Sequence, residues 1–184
     1  MKNIIEYGHA LLKDYVKPDD LVIDMTAGNG HDTLFLAKLS QNVLAFDVLE
    51  VAIKNTQKRL NDHLISHVRL IHDSHVYVRK YIQKSPKAIV FNFGYLPGYD
   101  KALTTLMASS ILALEESIDL IEEEGIIVMT LYPGHEEGYK EAEAITNYLK
   151  QLSTKKFTVS LYKILNRANA PFNITIYKHK GVSL

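Results

Sequence analysis

The chain has 184 residues and a formal net charge of zero, with 21 Lys and Arg against 21 Asp and Glu, and it contains no cysteine. This length fits a single domain over residues 1–184 with a substantial core, and the missing cysteines exclude disulfides, thiolate metal sites and a cysteine nucleophile. The apolar runs are shorter than the ~20 residues of a membrane span, and residues 1–15 carry charges unlike a signal peptide, so we expect a cytoplasmic protein without membrane contact.

Helix and strand patterns alternate along the chain, which predicts an α/β fold with a mostly parallel sheet and helices on both faces. Helices are predicted at residues 4–16, 31–39, 51–63, 74–83, about 101–122 and 136–152. Parallel strands are predicted at residues 21–25, 43–46, 68–71, 88–91 and 126–131. Residues 157–165 and 173–178 alternate apolar and polar side chains around a break at 168–171, which predicts a closing antiparallel pair. The sheet is therefore expected to have seven strands and to end in an antiparallel C-terminal hairpin.

A glycine turn joins the first strand to the second helix in the segment VIDMTAGNGHDT, residues 22–33. Gly28 and Gly30 let the backbone turn sharply and pass close to a ligand. Such pairs occur in dinucleotide-binding folds and in S-adenosylmethionine (SAM) methyltransferases. The dinucleotide fingerprint needs a third small residue where Thr33 stands. Asp24, four residues before Gly28, suits a ligand with an ammonium group, so both features favour SAM in a Rossmann-like class I methyltransferase fold.

Four successive strands end in a polar residue: Asp24, Asp47, Asp73 and Asn92. The carboxyl ends of parallel strands form the edge at which open α/β sheets bind ligands. Asp47 lies 19 residues beyond Gly28, where an acid accepts hydrogen bonds from both ribose hydroxyls. Each residue alone is equally well explained as a helix cap or turn former. All four together indicate a nucleoside ligand.

The segment after the fourth strand, NFGYLPGYD at residues 92–100, is the candidate for chemistry. It combines Asn92 with glycines and aromatic residues: Phe93, Gly94, Tyr95, Gly98 and Tyr99. Amino-methyltransferases of nucleobases use a related layout, in which a polar side chain and a backbone carbonyl accept hydrogen bonds from the amine and an aromatic ring stacks on the base. The alternative is a plain connecting loop.

A second candidate is His135, which follows Tyr132, Pro133 and Gly134 at the end of the fifth strand. There it would orient or deprotonate an amine. The same PGHEE segment also reads as a turn and helix start, with its glutamates at the positive end of the helix dipole.

Metal and polyanion sites have weaker signals. His63 and His67 have the H-x-x-x-H spacing but straddle a break in the helix pattern, so we expect no metal ion. Basic residues cluster loosely, and taken singly they are most often solvated surface: Lys80, Lys84, Lys87, Lys155, Lys156, Lys163 and Arg167.

Four ordered motifs, DMTAGNGHDTLFLA, FNFGYLPGYD, LYPGHEEG and NRANAPF, together resemble the YtqB-type (MnmM) family over essentially the whole chain. The resemblance implies a SAM-dependent methyltransferase. Its substrate would be the 5-aminomethyl group of 2-thiouridine at the tRNA wobble position 34, and its product the 5-methylaminomethyl form. One departure from the general methyltransferase pattern D-x-G-x-G-x-G is Thr26, which replaces the first glycine.

The resemblance assigns roles by position in this sequence. The cofactor side would comprise Asp24, Ala27, Gly28, Asn29, Gly30, Asp32, Thr33, Asp47, Asp73, Ser74, His75 and Asn92. The substrate side would comprise Phe93, Gly94, Tyr95, Leu96, Pro97, Gly98, Tyr132, Pro133, Gly134 and Arg167. The catalytic candidates are Asn92, Tyr95 and His135.

An exocyclic primary amine needs neither a cysteine adduct nor a metal, and a wobble base in a single-stranded loop can stack on aromatic rings at little cost. Zero net charge favours a local grip on an anticodon stem-loop over wide contact with a large RNA. A homodimer would widen the basic surface, but the sequence does not show one. Two alternatives stay open: a methyltransferase of the same fold acting on rRNA or a small-molecule amine, and a non-catalytic SAM- or RNA-binding module.

Overall fold

The computed structural model describes residues 3–93 and 107–181. Helices and strands alternate through most of this range, as predicted. The α-helices are α1 (Ile4–Tyr15), α2 (His31–Ala37), α3 (Glu50–Asp62), α4 (Met107–Leu120) and α5 (Glu136–Leu149). The strands are β1 (Leu21–Asp24), β2 (Asn42–Asp47), β3 (Val68–His72), β4 (Ala88–Phe93), β5 (Ile126–Leu131), β6 (Phe157–Tyr162) and β7 (Phe172–Lys178).

The described strands form one seven-stranded sheet in the order β3-β2-β1-β4-β5-β7-β6. Strands β1 to β5 are parallel, and β7 runs antiparallel to both β5 and β6. The predicted α/β fold with an antiparallel C-terminal hairpin is confirmed. The strand order reverses between β1 and β4, and this switch point is where open α/β sheets bind ligands.

The core lies on both faces of the sheet because successive strand residues point in opposite directions. On one face, Val22 and Val90 pack with apolar residues of α1, α2 and α3. On the other, Ile23 and Phe91 pack with α4, α5 and the segment after β3. Strands covered on both faces explain why β1 and β5 are almost uniformly apolar.

One predicted helix is corrected, and several helices end earlier than predicted. The segment after β3 is a short 3₁₀ helix, His75–Tyr81, and not an α-helix over residues 74–83. It includes Val76 and Val78, whose branched side chains disfavour a regular helix, and short 3₁₀ turns commonly serve as connectors. Helices α2 and α5 stop at Ala37 and Leu149, before the predicted ends. The predicted start of α4 at residues 101–106 lies outside the described range.

Helix α1 is fixed to the sheet by a buried polar contact and a close approach. The Asn173 side chain donates from Nδ2 to the Ile4 carbonyl at 2.8 Å and accepts at Oδ1 from the Thr130 hydroxyl at 3.0 Å. A Cβ on Gly8 would lie only 3.0 Å from Asn173 Nδ2 and from Val128 Cγ1. The helix therefore lies directly against β5 and β7, and this contact determines the position of His9, the residue after Gly8.

No helix in the described ranges has the length and apolarity that a membrane crossing requires.

The substitution Asn173→Ala is expected to lower the free energy of unfolding by about 2 to 4 kcal/mol, because it leaves the buried Ile4 carbonyl and Thr130 hydroxyl without this partner. The exposed Asn166 provides the control, and Asn166→Ala is expected to change stability by less than about 0.5 kcal/mol. Urea unfolding followed by circular dichroism measures both. A loss at Asn173 as small as that at Asn166 would mean that α1 is held by apolar packing alone.

Candidate active site

The glycine turn after β1 has the backbone geometry that its sequence predicts. Gly28 and Gly30 have φ values of +53° and +77°, in the left-handed region that favours glycine. A Cβ on Gly30 would lie 2.9 Å from the Thr56 Cα of α3, so a larger residue there would push α3 away. Hydrogen bonds from the Ala27 amide to the Phe46 carbonyl and from the Gly30 amide to the Ala27 carbonyl close the turn against β2.

Asp47, at the end of β2, holds the turn from the side. Its Oδ2 accepts from the Gly28 amide and its Oδ1 from the Leu49 amide, both at 2.9 Å. Each carboxylate oxygen has a second lone pair, so these two bonds leave acceptor capacity for two further donors. This geometry is compatible with ribose hydroxyls, and the ribose contact stays a prediction.

Asp24 requires a correction, because its carboxyl group is fully buried. Its Oδ1 accepts from the Thr26 amide at 3.0 Å, and its Oδ2 accepts from the Thr33 hydroxyl at 2.6 Å. The pKa of Asp24 is raised to about 7. Burial is the largest cause, and the negative charge of Asp32 is the second. Asp24 and Thr33 therefore support the turn from its buried side. The prediction from sequence was that both face a ligand, and in the structure they do not.

Asp32, in the first turn of α2, links three elements. Its Oδ1 lies 2.7 Å from His9 Nε2 of α1, and its Oδ2 accepts from Asn92 Nδ2 of β4 at 2.8 Å. Burial alone would raise the pKa of Asp32, but the hydrogen bonds with His9 and Asn92 outweigh it and hold the pKa below its usual value. Asp32 is thus an ionised carboxylate that is only 8% exposed.

His9 was not among the predicted site residues. Its ring stacks flat on Phe35 with ring centroids 3.7 Å apart, and it pairs with Asp32. One signal was present: a histidine beside the buried stripe of α1 formed by Ile4, Gly8 and Leu12. Such a histidine needs a polar partner, but the partner lies 23 residues away in sequence.

Asn92 is held at both its backbone and its side chain. Its amide donates to the Thr26 hydroxyl at 2.8 Å, which gives the unusual threonine at that position a structural role. Its side chain is fixed on Asp32. Burial, and next the charge of Asp32, raise the pKa of Tyr132, which also interacts with Asn92. The ends of β1, β4 and β5 therefore meet around Asn92.

The residues after β3 form another side of the same edge. Asp73 accepts from the Tyr81 hydroxyl at 2.6 Å and from the Ser74 amide at 2.7 Å, and these bonds lower its pKa. The Ser74 hydroxyl oxygen caps the 3₁₀ helix by accepting from Val76. His75 is 7% exposed, donates from Nδ1 to the Met25 carbonyl at 3.0 Å and has its pKa lowered by burial. It is a neutral support beneath the glycine turn.

Three other predicted site residues have structural partners. The Asn29 side chain accepts from Asn55 of α3 at 2.9 Å. Phe93 is only 3% exposed and stacks on Phe91 with centroids 4.9 Å apart, so the expected aromatic face toward a substrate is wrong for this ring. His135 accepts at Nδ1 from the Gly138 amide at 3.1 Å and caps α5, as the alternative interpretation of its segment expected. Its catalytic role stays a prediction.

The remaining predicted substrate residues fall into two groups. Pro133 and Gly134 lie in the loop between β5 and α5, beside Asn169 of the β6–β7 loop, which also carries the exposed Arg167. The other predicted residues, Gly94, Tyr95, Leu96, Pro97 and Gly98, lie outside the described range.

Comparisons with known proteins agree with this fold. The family model described as "Putative rRNA methylase" matches residues 43–178. A crystal structure with the same description, from Clostridium thermocellum, is 39% identical with a TM-score of 0.93, covering 97% of this chain and 98% of that one. A "putative methyltransferase" from Streptococcus mutans, crystallised in complex with SAH, is 35% identical with a TM-score of 0.91, covering 97% of this chain and 99% of that one. A curated Arabidopsis thaliana protein named chloroplastic tRNA (mnm5s2U34)-methyltransferase is 28% identical over 98% of this chain and 71% of its own length.

The buried Asp24 predicts a pH dependence of stability. The pKa of Asp24 is about 7 in the folded state, against 3.8 for an unperturbed aspartate, so the folded protein holds a proton that the unfolded chain releases between these values. The contribution of Asp24 to stability is therefore present below about pH 4 and is lost as the pH rises to about 7. Asp24→Asn, which needs no proton, is expected to gain on the wild type by about 1 kcal/mol or more between pH 5 and pH 7.

Urea unfolding at half-unit pH intervals measures this difference, with the exposed Asp14→Asn as the control. A difference between Asp24→Asn and wild type that stays constant from pH 5 to pH 8 would show that Asp24 is already ionised in the folded protein.

Proposed function

We propose that this chain, which belongs to the family described as "Putative rRNA methylase", is a SAM-dependent methyltransferase of the 5-aminomethyl group of 2-thiouridine at tRNA position 34. Two findings support the substrate: the motif resemblance over the whole chain, and the named activity of the Arabidopsis relative. The observation that most supports the chemistry is the position of Asn92. Its side-chain amide is fixed by the buried carboxylate of Asp32 at the carboxyl edge of the sheet.

The residues at this edge fit SAM. The left-handed glycine turn lets the backbone approach the cofactor closely, Asp47 has lone pairs for the ribose hydroxyls, and Asp73 presents an ionised carboxylate on the neighbouring strand end. When bound, SAM supplies a methyl group activated by its sulfonium. Transfer is then an in-line displacement, in which holding the two reactants in line matters more than acid–base strength.

Asn92 is proposed to orient the acceptor amine. Because Asp32 fixes Nδ2, the plane of the amide is set, and Oδ1 is the acceptor for an amine N–H. An amine that donates its N–H to Oδ1 can direct its lone pair at the methyl group. Tyr132, whose pKa is raised by burial, interacts with Asn92 and so borders the same position.

The amine must be neutral when it reacts, and the ionised Asp32 would by itself favour its ammonium form. His9 reduces this effect, because its Nε2 lies 2.7 Å from Asp32 Oδ1 and so engages the carboxylate oxygen that Asn92 does not contact. Its stacking on Phe35 holds the ring in the position that this pairing requires.

A second candidate substrate is rRNA, which the family description names. A small-molecule amine, or SAM binding without catalysis, would use the same cofactor edge. Nucleoside mass spectrometry after incubation with SAM decides among them, using tRNA that carries 5-aminomethyl-2-thiouridine, rRNA and free amines. Conversion to the 5-methylaminomethyl nucleoside in tRNA alone supports the proposal. Product only in rRNA, or none with any substrate, would refute it.

Asp47→Ala is expected to weaken SAM binding about tenfold or more, because hydrogen bonds to a charged group contribute roughly 1 to 3 kcal/mol. Isothermal titration calorimetry measures the affinity, and circular dichroism checks that the glycine turn, which Asp47 also supports, leaves the protein folded. The exposed Asp14→Ala is the control. Unchanged affinity in folded Asp47→Ala would remove this residue from the cofactor site.

Asn92→Ala is expected to lower the turnover number about a hundredfold while SAM affinity stays within about twofold, because the lost interaction orients the amine in the transition state. Single-turnover methylation of an anticodon stem-loop carrying 5-aminomethyl-2-thiouridine measures it. The control is Asn42→Ala, which changes an exposed asparagine at the start of β2, on the opposite edge of the sheet. Near-normal rates for Asn92→Ala would place the reacting amine elsewhere.

A further inference from the structure

The zero net charge of the chain conceals a strong separation of charge along the sequence. Residues 144–184 contain seven Lys and Arg and no Asp or Glu, whereas residues 1–143 contain 14 basic and 21 acidic residues. The basic segment comprises the end of α5 and the β6–β7 hairpin, so its charges lie at one edge of the sheet. Neutrality overall is therefore no argument against contact with a polyanion.

A groove of about 240 Å³ runs along this basic edge between α5 and the hairpin. Its lining includes two lysines, one exposed aromatic ring and two amides: Lys150, Lys163, Tyr139, Asn147 and Asn169. One end is bordered by Pro133, which lies in the loop directly after Tyr132 of the candidate active site. The groove thus begins beside the position at which the amine is proposed to be methylated.

The two lysines are available for a ligand. Both Lys150 and Lys163 are exposed, and neither forms an ion pair within residues 3–93 and 107–181. Lys163 Nζ lies over the Phe172 ring of the same groove, 5.9 Å from its centroid. Glu143 is the acid among the lining residues, so the groove and the adjacent Arg167 are positive in sum. Tyr139 is 54% exposed, and its ring offers a surface on which a base can stack. Lysines along a groove with an aromatic platform are what single-stranded nucleic acid requires.

We propose that this groove binds the phosphodiester backbone of the RNA nucleotides next to the methylated one, with Lys150 and Lys163 contacting phosphates. The inference rests on the proposed function for the identity of the RNA. It adds a binding surface outside the cofactor edge. The separation of charge and the groove support it independently of the reaction itself.

The test compares three double variants by fluorescence anisotropy with an anticodon stem-loop RNA carrying 5-aminomethyl-2-thiouridine. Lys150→Ala/Lys163→Ala removes the groove charges, and Lys150→Arg/Lys163→Arg keeps them. The control, Lys17→Ala/Lys38→Ala, removes two exposed lysines outside the basic segment and so changes the net charge equally. Binding is measured from 50 to 200 mM salt, because each lost phosphate contact reduces the slope of log K against log salt by about 0.7 to 0.9.

The alanine pair in the groove is expected to weaken RNA binding about tenfold, reduce the salt slope by about 1.5 and raise the KM for RNA with kcat and SAM affinity unchanged. The arginine pair should restore binding, and the control pair should stay within twofold of wild type. Equal losses in the groove and control pairs, or no loss in either, would overturn the proposal. Methylation of the same stem-loop by the wild type tests the proposed function separately, since the binding measurements need no methyl transfer.

Discussion

The buried carboxylate of Asp32 is the constraint on which the candidate site depends. It joins α1, α2 and β4 through His9 on one oxygen and Asn92 on the other. A charge so far removed from water is expensive unless it is fully hydrogen-bonded, and leaving one partner unpaired costs several kcal/mol. The position of Asn92 therefore depends on α1, which the contact of Asn173 with Ile4 fixes to the sheet.

Asp32 also contributes to the protonation state of its neighbour Asp24. Burial, and next the charge of Asp32, raise the pKa of Asp24, whereas hydrogen bonds keep Asp32 ionised. Two nearby carboxyl groups thus differ in protonation below about pH 7 because only one of them has His9 and Asn92 as partners. Asp24 accordingly acts as a neutral brace for the glycine turn, and the negative charge is concentrated beside Asn92.

The sequence could predict the edge of the sheet but not the direction of each side chain. Alternating helix and strand patterns imply parallel strands, whose carboxyl ends must meet, so Asp24, Asp47, Asp73 and Asn92 were assigned to one edge correctly. Which of them faces a ligand depends on packing that periodicity does not report. Asp24 and Phe93 were expected at the ligand and are buried. His9 was missed because its partner is brought near only by the packing of α1.

Charge is arranged across the molecule as the two proposed ligands require. SAM carries a sulfonium and an ammonium group, and the acids Asp32, Asp47 and Asp73 surround the edge at which it is proposed to bind. RNA is a polyanion, and the chain beyond residue 143 has no acid to repel it. A uniformly basic surface would strengthen RNA binding but weaken the hold on a cationic cofactor, since both effects act through the same field. Placing the acids beyond the carboxyl ends of β1, β2 and β3, and the lysines beside the hairpin, lets one small, neutral chain bind both.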